Sequence, residues 1–129
     1  MQPDAEKVEL APLAALSTFQ EIIDNPKYDT LTKGLAYHNM AQTILNRCGE
    51  PQATCTPADM EQIIEYENIA LGIINDRRGQ SAATVTWGAA HFVLGETATA
   101  EAAFEKAIDL NDNPQEKQQI KDFIIKVQR

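Results

Sequence analysis

The stretch that decides the fold is residues 84–114, TVTWGAAHFVLGETATAEAAFEKAIDLNDNP. Its apolar residues recur at intervals of three and four rather than two, which is the period of an α-helix and not of a strand. Gly95 interrupts the pattern near its middle, and glycine is the residue that most readily ends a helix. The stretch therefore predicts two helices joined by a tight turn.

Small residues in this stretch stand where the two helices would cross. Trp87-Gly88 is a large-then-small pair on the first helix, and Ala100 and Ala107 lie on the packing seam of the second, together with Phe104. Each small residue removes a side chain from the crossing, so the helices can pack near the lower end of about 8–10 Å. We expect a tightly packed antiparallel hairpin.

These residues resemble the tetratricopeptide repeat, whose pattern is an aromatic, a small pair, a second aromatic, Ala-x3-Phe and a closing proline. Ala100 and Phe104 supply the Ala-x3-Phe element. His91 stands in place of the second aromatic, and Pro114 comes about two residues late. The resemblance covers one good repeat at about 81–114, and it implies stacked helical hairpins that bind other proteins.

A degenerate copy of the repeat precedes it at about 34–76. Ala70-Leu71-x-Ile73 parallels Ala107-Ile108-x-Leu110 at an offset of 37 residues, whereas Ala41 and Gly88 are offset by 47. About ten extra residues therefore lie between the two helices of the earlier copy. We assign them to an inserted loop at 48–56, which contains both cysteines.

The rest of the pattern predicts an all-α single domain over 1–129, with six helices and a flexible start at 1–9. The first four helices are expected at about 10–24, 29–47, 56–79 and 81–94, with Arg77-Arg78-Gly79 closing the third. Thr97 is the expected cap of the fifth helix, and Asn113 that of the sixth. The sixth has one apolar stripe and one polar face, as expected of a helix that caps a core. An ordinary bundle of four to six helices is the alternative.

Charge and hydropathy limit the class of partner. The chain has 19 acidic and 11 basic residues and a net charge of −8. A negative chain repels phosphate backbones and anionic lipid surfaces at long range, so we expect a protein or peptide partner and no nucleic acid. No apolar run approaches the roughly 20 residues that cross a bilayer, so no membrane insertion is expected.

Cys48 and Cys55 are separated by six residues in a loop with glycine and proline, close enough to form a disulfide. A disulfide would favour an exported protein, such as one of a bacterial periplasm, that has lost its leader; two free thiols would favour the cytoplasm. A zinc site is not expected, because no second Cys/His pair lies nearby.

Nothing in the sequence forms a catalytic motif. His38 and His91 are the only histidines, and neither lies near an acid, nucleophile or glycine-rich loop. Glu61, Glu65 and Glu67 are expected to form a solvated helix face. We therefore expect no enzyme activity, no cofactor and no metal. An enzymatic role would require a cysteine or histidine to meet a carboxylate in a pocket.

The repeat resemblance implies where a partner would bind. In such proteins the first helix of each hairpin lines a concave groove, and its residues that face away from the second helix contact the partner. Carried over, these positions are Leu35, His38, Asn39, Gln42, Asn46, Ala82, Val85, Thr86, Ala89 and Phe92, with Val93 as a further candidate.

This set contains amides and apolar side chains but no lysine or arginine, which disfavours a clamp for a terminal carboxylate. It suits an apolar or mixed segment held by a few amide hydrogen bonds. Two alternatives stay open at this point. The first or last helix could cover Phe92 and Val93, or the same apolar surface could mediate self-association as a structural subunit.

Overall fold

The computed structural model describes residues 15–49 and 55–128, and this part of the chain is all α-helical. Its six helices are α1, helical over 15–24, and α2 Thr30–Cys48, α3 Pro57–Ile73, α4 Arg77–Val93, α5 Thr97–Leu110 and α6 Pro114–Val127. The predicted all-α class is confirmed. The predicted flexible start, residues 10–14 of the predicted first helix and most of the predicted inserted loop lie outside the described residues.

Side-chain caps fix most of the helix starts. Thr56 and Asp59 form a reciprocal capping box at α3, and Asn113 accepts hydrogen bonds from the backbone of residues 115 and 116 at α6, as predicted. The predicted Thr97 cap is wrong. Thr97 is the first residue of α5, and Glu96 before it makes no side-chain cap bond. Gly95 turns the chain at φ +86° just before this helix.

The boundary between α3 and α4 differs from the prediction. α3 ends at Ile73, and Arg77-Arg78-Gly79 begins α4 instead of closing α3. The reason is Asp76, which caps α4 by accepting a hydrogen bond of 2.8 Å from the backbone N–H of Gly79. A sequence of two arginines and a glycine looks like a helix end, but the preceding aspartate makes it a helix start.

The helices form two layers. α4 packs most extensively on α5, α2 on α3, and α3 on α4, while α6 contacts both α4 and α5. Short connections on either side of α4 make its neighbours antiparallel to it. α4 also contacts α2 and α6, so these three helices lie side by side in one layer, with α3 and α5 behind them.

Gly88 allows α4 and α5 to approach closely, as the sequence predicted. A Cβ atom at Gly88 would lie 2.9 Å from a Phe104 ring carbon and 3.1 Å from the Cβ of Ala103. Ser81, fully buried on α4, adds a hydrogen bond of 2.7 Å to the carbonyl of Ala107 on α5. Gly34 plays the same part between α2 and α3, against Ile73.

We expect Gly88→Ala to lower the free energy of unfolding by about 1–3 kcal/mol, because the added methyl overpacks the α4–α5 interface. Gly72→Ala is the matched control, since a Cβ at this exposed helical position meets nothing within 4 Å. It should raise stability by about 0.5–1 kcal/mol through helix propensity. Urea unfolding of both variants measures the contrast, and equal effects of the two substitutions would contradict the close packing.

Candidate functional site

Two adjoining cavities form a groove along α4, bounded by α2 on one side and α6 on the other. The first has a volume of about 330 Å³ and the second about 480 Å³, and both are lined by Leu45, Asn46 and Phe123. We call this continuous surface the groove. Its other lining residues are Gln42, Arg78, Ser81, Ala82, Val85, Thr86, Asn111, Glu116, Gln119 and Ile120 in the first cavity and Cys48, Gly49, Cys55, Met60, Val93, Lys126 and Val127 in the second.

The groove runs lengthwise along the three helices. Its first end lies at Arg78 near the start of α4, and its second end at Val93, the last residue of α4. The 15 residue steps between them span about 22 Å at the helical rise of about 1.5 Å. Glu116 and Val127 of α6 lie at the same two ends, so α6 runs parallel to α4. The groove is long enough for a segment and not merely a single side chain.

Five of the sequence-predicted partner residues line the first cavity together: Gln42 and Asn46 of α2, and Ala82, Val85 and Thr86 of α4. Val93 lines the second cavity and is 58% exposed. Val85 and Thr86 form the floor and are mostly buried, at 8% and 4% exposed. Ala82, Gln42 and Asn46 are exposed within the groove.

The other predicted residues are placed elsewhere. Leu35 is 42% exposed and Asn39 half-buried, but neither lines the two cavities. Phe92 is half-buried outside them, and Ala89 has no exposed surface to offer a partner. His38 is turned into the protein.

The sequence reasoning missed the contribution of α6. Ile120 and Phe123 form the wall opposite α2, and they belong to the apolar stripe that was expected only to cover the core. It also missed the cations. Because Arg78 belongs to α4, its guanidinium lies at the groove's first end, where Nε donates to Glu116 at 2.7 Å, and Lys126 lies at the second end. The prediction of a surface without lysine or arginine is therefore wrong.

His38 and Glu67 form a buried polar pair between α2 and α3. His38 Nδ1 and Glu67 Oε2 are 2.8 Å apart, and the Glu67 side chain has no exposed surface. The prediction that Glu67 belongs to a solvated face is wrong, whereas Glu61 and Glu65 are exposed. A carboxylate enters the core here because an imidazole on the neighbouring helix bonds to it.

Burial raises the pKa of Glu67 from 4.5 to about 7, although the hydrogen bond and the charge of His38 act in the opposite direction. A histidine thus meets a carboxylate of near-neutral pKa, which is the pairing an acid–base catalyst would use. Neither residue lines the groove. The pair links α2 to α3 within the core.

A second histidine packs as the sequence predicted, in the place of an aromatic. The His91 ring contacts that of Trp87 with centroids 4.0 Å apart, and its Nδ1 is 3.3 Å from Glu96 Oε1. Trp87 Nε1 donates to Asn68 Oδ1 at 2.9 Å, which joins α4 to α3. The Trp87–Asn68 hydrogen bond joins the groove layer to the layer behind it.

The sulfurs of Cys48 and Cys55 lie at disulfide distance, with their Cα atoms 5.6 Å apart. Cys48 is the last residue of α2, and Cys55 directly precedes the Thr56 cap of α3. The pair therefore ties the end of one helix to the start of the next, at the second end of the groove.

Reduction of this disulfide is expected to lower the free energy of unfolding by about 2.5 kcal/mol, from the entropy of closing a loop of this length. Urea unfolding with and without reductant measures the difference. A Cys48→Ser, Cys55→Ser variant should show no response to reductant. Equal stability of the oxidised and reduced wild type would contradict a bond that constrains the unfolded chain.

Within the two described stretches, no group of three or more His, Cys, Asp or Glu side chains is placed to hold a metal ion. Nor does any helix there have the length and apolar character needed to span a membrane. Comparison with known proteins gives no match to any family model, curated protein or solved structure.

Proposed function

We propose that this chain is a non-enzymatic interaction module that binds a peptide or a partner helix in the groove between α2, α4 and α6. The groove itself carries the proposal. It offers about 22 Å of continuous concave surface that combines apolar side chains with amide groups. Apolar anchors give affinity and a few placed polar groups give orientation, which is the usual makeup of a peptide-binding groove.

The tetratricopeptide resemblance supports the same proposal. In that pattern the first helices of successive hairpins line the binding surface, and the groove lies on α2 and α4, the first helices of the two repeats. α6 extends the layer as a third parallel helix. The family assignment is part of the proposal, because it is drawn from the repeat pattern at 81–114.

The test is capture of a partner by the immobilised wild-type chain and its loss from an Ala82→Trp bait. Ala82 is exposed on the groove, so an indole there projects into the first cavity. A bait with Ala102→Trp, at an exposed position on α5, should retain the partner. A partner lost from both baits, or from neither, would count against the groove.

The alternative function is a structural subunit that self-associates. Val93 and Ile125, at 58% and 53% exposed, are the apolar side chains that favour it. Sedimentation across a range of concentrations separates the two functions. A monomer up to the highest concentration would exclude self-association.

For the compartment, we propose an oxidising one such as a bacterial periplasm, because cytosolic proteins rarely keep a structural disulfide. The Cys48–Cys55 pair is the observation that supports it. Mass spectrometry of the native protein after alkylation provides the test. Two readily alkylated thiols without reductant would favour the cytoplasm instead.

A further inference from the structure

Charge is strongly segregated between the two layers of helices. α2, α4 and α6 together hold seven of the 11 basic residues of the chain and only two of its 19 acidic residues. α3 and α5 hold one basic and seven acidic residues. The groove layer therefore has a formal charge of +5 and the layer behind it −6, within a chain of net charge −8.

The groove itself follows the charge of its layer. Arg78 lies at its first end and Lys126 at its second, and among the described residues Glu116 is the only acidic one that lines either cavity. Glu116 engages the Nε–H of Arg78, one of the five N–H donors of a guanidinium. Lys126 is exposed and forms no ion pair with any other described residue. Both ends of the groove thus offer cationic donors to an incoming group.

Between these ends the groove is mainly apolar. Its anchoring surface is supplied by Val85, Ile120 and Phe123 in the first cavity and by Val93 and Val127 in the second. Apolar side chains between two cations match a segment that carries apolar residues on one face and carboxylates at the flanks. The phosphate backbone of a nucleic acid carries no apolar side chains that could pack against this surface.

We propose that the groove binds an acidic amphipathic segment of a partner protein, with carboxylates near Arg78 and Lys126 and apolar side chains on the floor between them. This inference rests on the proposed function and specifies the partner that the groove accepts. A span of about 22 Å corresponds to roughly 15 helical or 7 extended residues.

The net charge of −8 does not prevent this recognition. The acidic residues that are exposed on α3 and α5, such as Glu61, Glu65 and Glu101, belong to the layer behind the groove. Packed helices lie about 8–10 Å apart, and the Debye length at physiological salt is about 8 Å. The field of the acidic layer is therefore weakened by distance at the groove, while Arg78 and Lys126 act at contact distance.

Three synthetic 14-residue peptides test the inference. They share the same leucine positions and carry glutamate, glutamine or lysine at all flanking positions. We expect the glutamate peptide to bind about tenfold more tightly than the glutamine peptide, and the lysine peptide to bind most weakly. Fluorescence anisotropy of labelled peptides measures the affinities.

A pair of charge-reversal variants supplies the control. Lys126→Glu should weaken binding of the glutamate peptide about fivefold to tenfold. Lys106→Glu, the same change at an exposed position on α5, should alter the affinity less than twofold. Circular dichroism checks that both variants fold.

The possible failures are distinguishable. Equal binding of all three peptides would overturn the acidic preference and leave the groove function intact. If none of the peptides bound but a partner was still captured through the groove, the proposal of an acidic segment would be overturned and the groove function would stand. Equal affinity for a single-stranded DNA 14-mer would overturn the role given to the apolar floor.

Discussion

As the pH rises from 4 to 8, the Glu67→Gln variant should gain roughly 3 kcal/mol in free energy of unfolding relative to wild type. The pKa of Glu67 is raised by burial from 4.5 to about 7, so the folded state holds this proton more tightly than the unfolded chain. Its favourable contribution is fully present below pH 4.5 and is lost as the pH rises through 7. Glutamine keeps a hydrogen-bonding group next to His38 but cannot ionise, so the variant avoids the loss.

Urea unfolding followed by circular dichroism at pH 4, 6 and 8 measures this difference. Glu65→Gln is the matched control, because Glu65 lies on the same helix but is exposed. Its stability should differ from wild type by no more than about 0.5 kcal/mol at each pH. If the free energy of unfolding changed with pH in the same way for wild type and Glu67→Gln, Glu67 would ionise in the folded protein as it does in water. That result would contradict the raised pKa.

Ala82→Trp should weaken partner binding at least about 30-fold while leaving the fold intact. Ala82 lies on α4 on the floor of the groove and lines the cavity of about 330 Å³. An indole there occupies the space that the central anchor of a partner would fill, and losing such an anchor typically costs 2 kcal/mol or more. Because the position is exposed, the cost to folding is limited to helix propensity, at about 0.5 kcal/mol.

Ala102→Trp makes the same chemical change on α5, which contributes no residue to the groove. It should leave the dissociation constant within about twofold of wild type. Isothermal titration calorimetry with the captured partner gives both values. Unchanged binding by Ala82→Trp would mean that the partner uses another surface.

The helices were predictable because their determinants are local. The three-and-four spacing, the Thr56 and Asn113 caps and the small residue at Gly88 each act within one helix or one hairpin, and the structure bears them out. Where two local patterns indicated different helix boundaries, the prediction was wrong. Arg77-Arg78-Gly79 suits a helix end, but the Asp76 cap makes it a start.

The missed features depend on neighbours that are distant in sequence. By its sequence neighbours, Glu67 belongs to a solvated acidic face. In the structure it is buried because His38, 29 residues earlier, lies 2.8 Å from its carboxylate. Likewise, the apolar stripe of α6 suggests a cap until Ile120 and Phe123 are seen opposite Gln42 and Leu45 of α2. The predicted residues that do meet in the groove, five in the first cavity and Val93 in the second, come from the repeat resemblance, which supplies tertiary information that periodicity lacks.

The most direct test of the groove is photo-crosslinking from defined positions. A photoreactive phenylalanine analogue replaces Ala82 on α4, Gln119 on α6 or Ala102 on α5, one position at a time, and each chain is irradiated with the partner. Ala82 and Gln119 line the groove, and Ala102 is exposed on the layer behind it. We predict that the partner crosslinks from positions 82 and 119 and not from 102. Crosslinking from position 102 alone would contradict the groove as the binding surface.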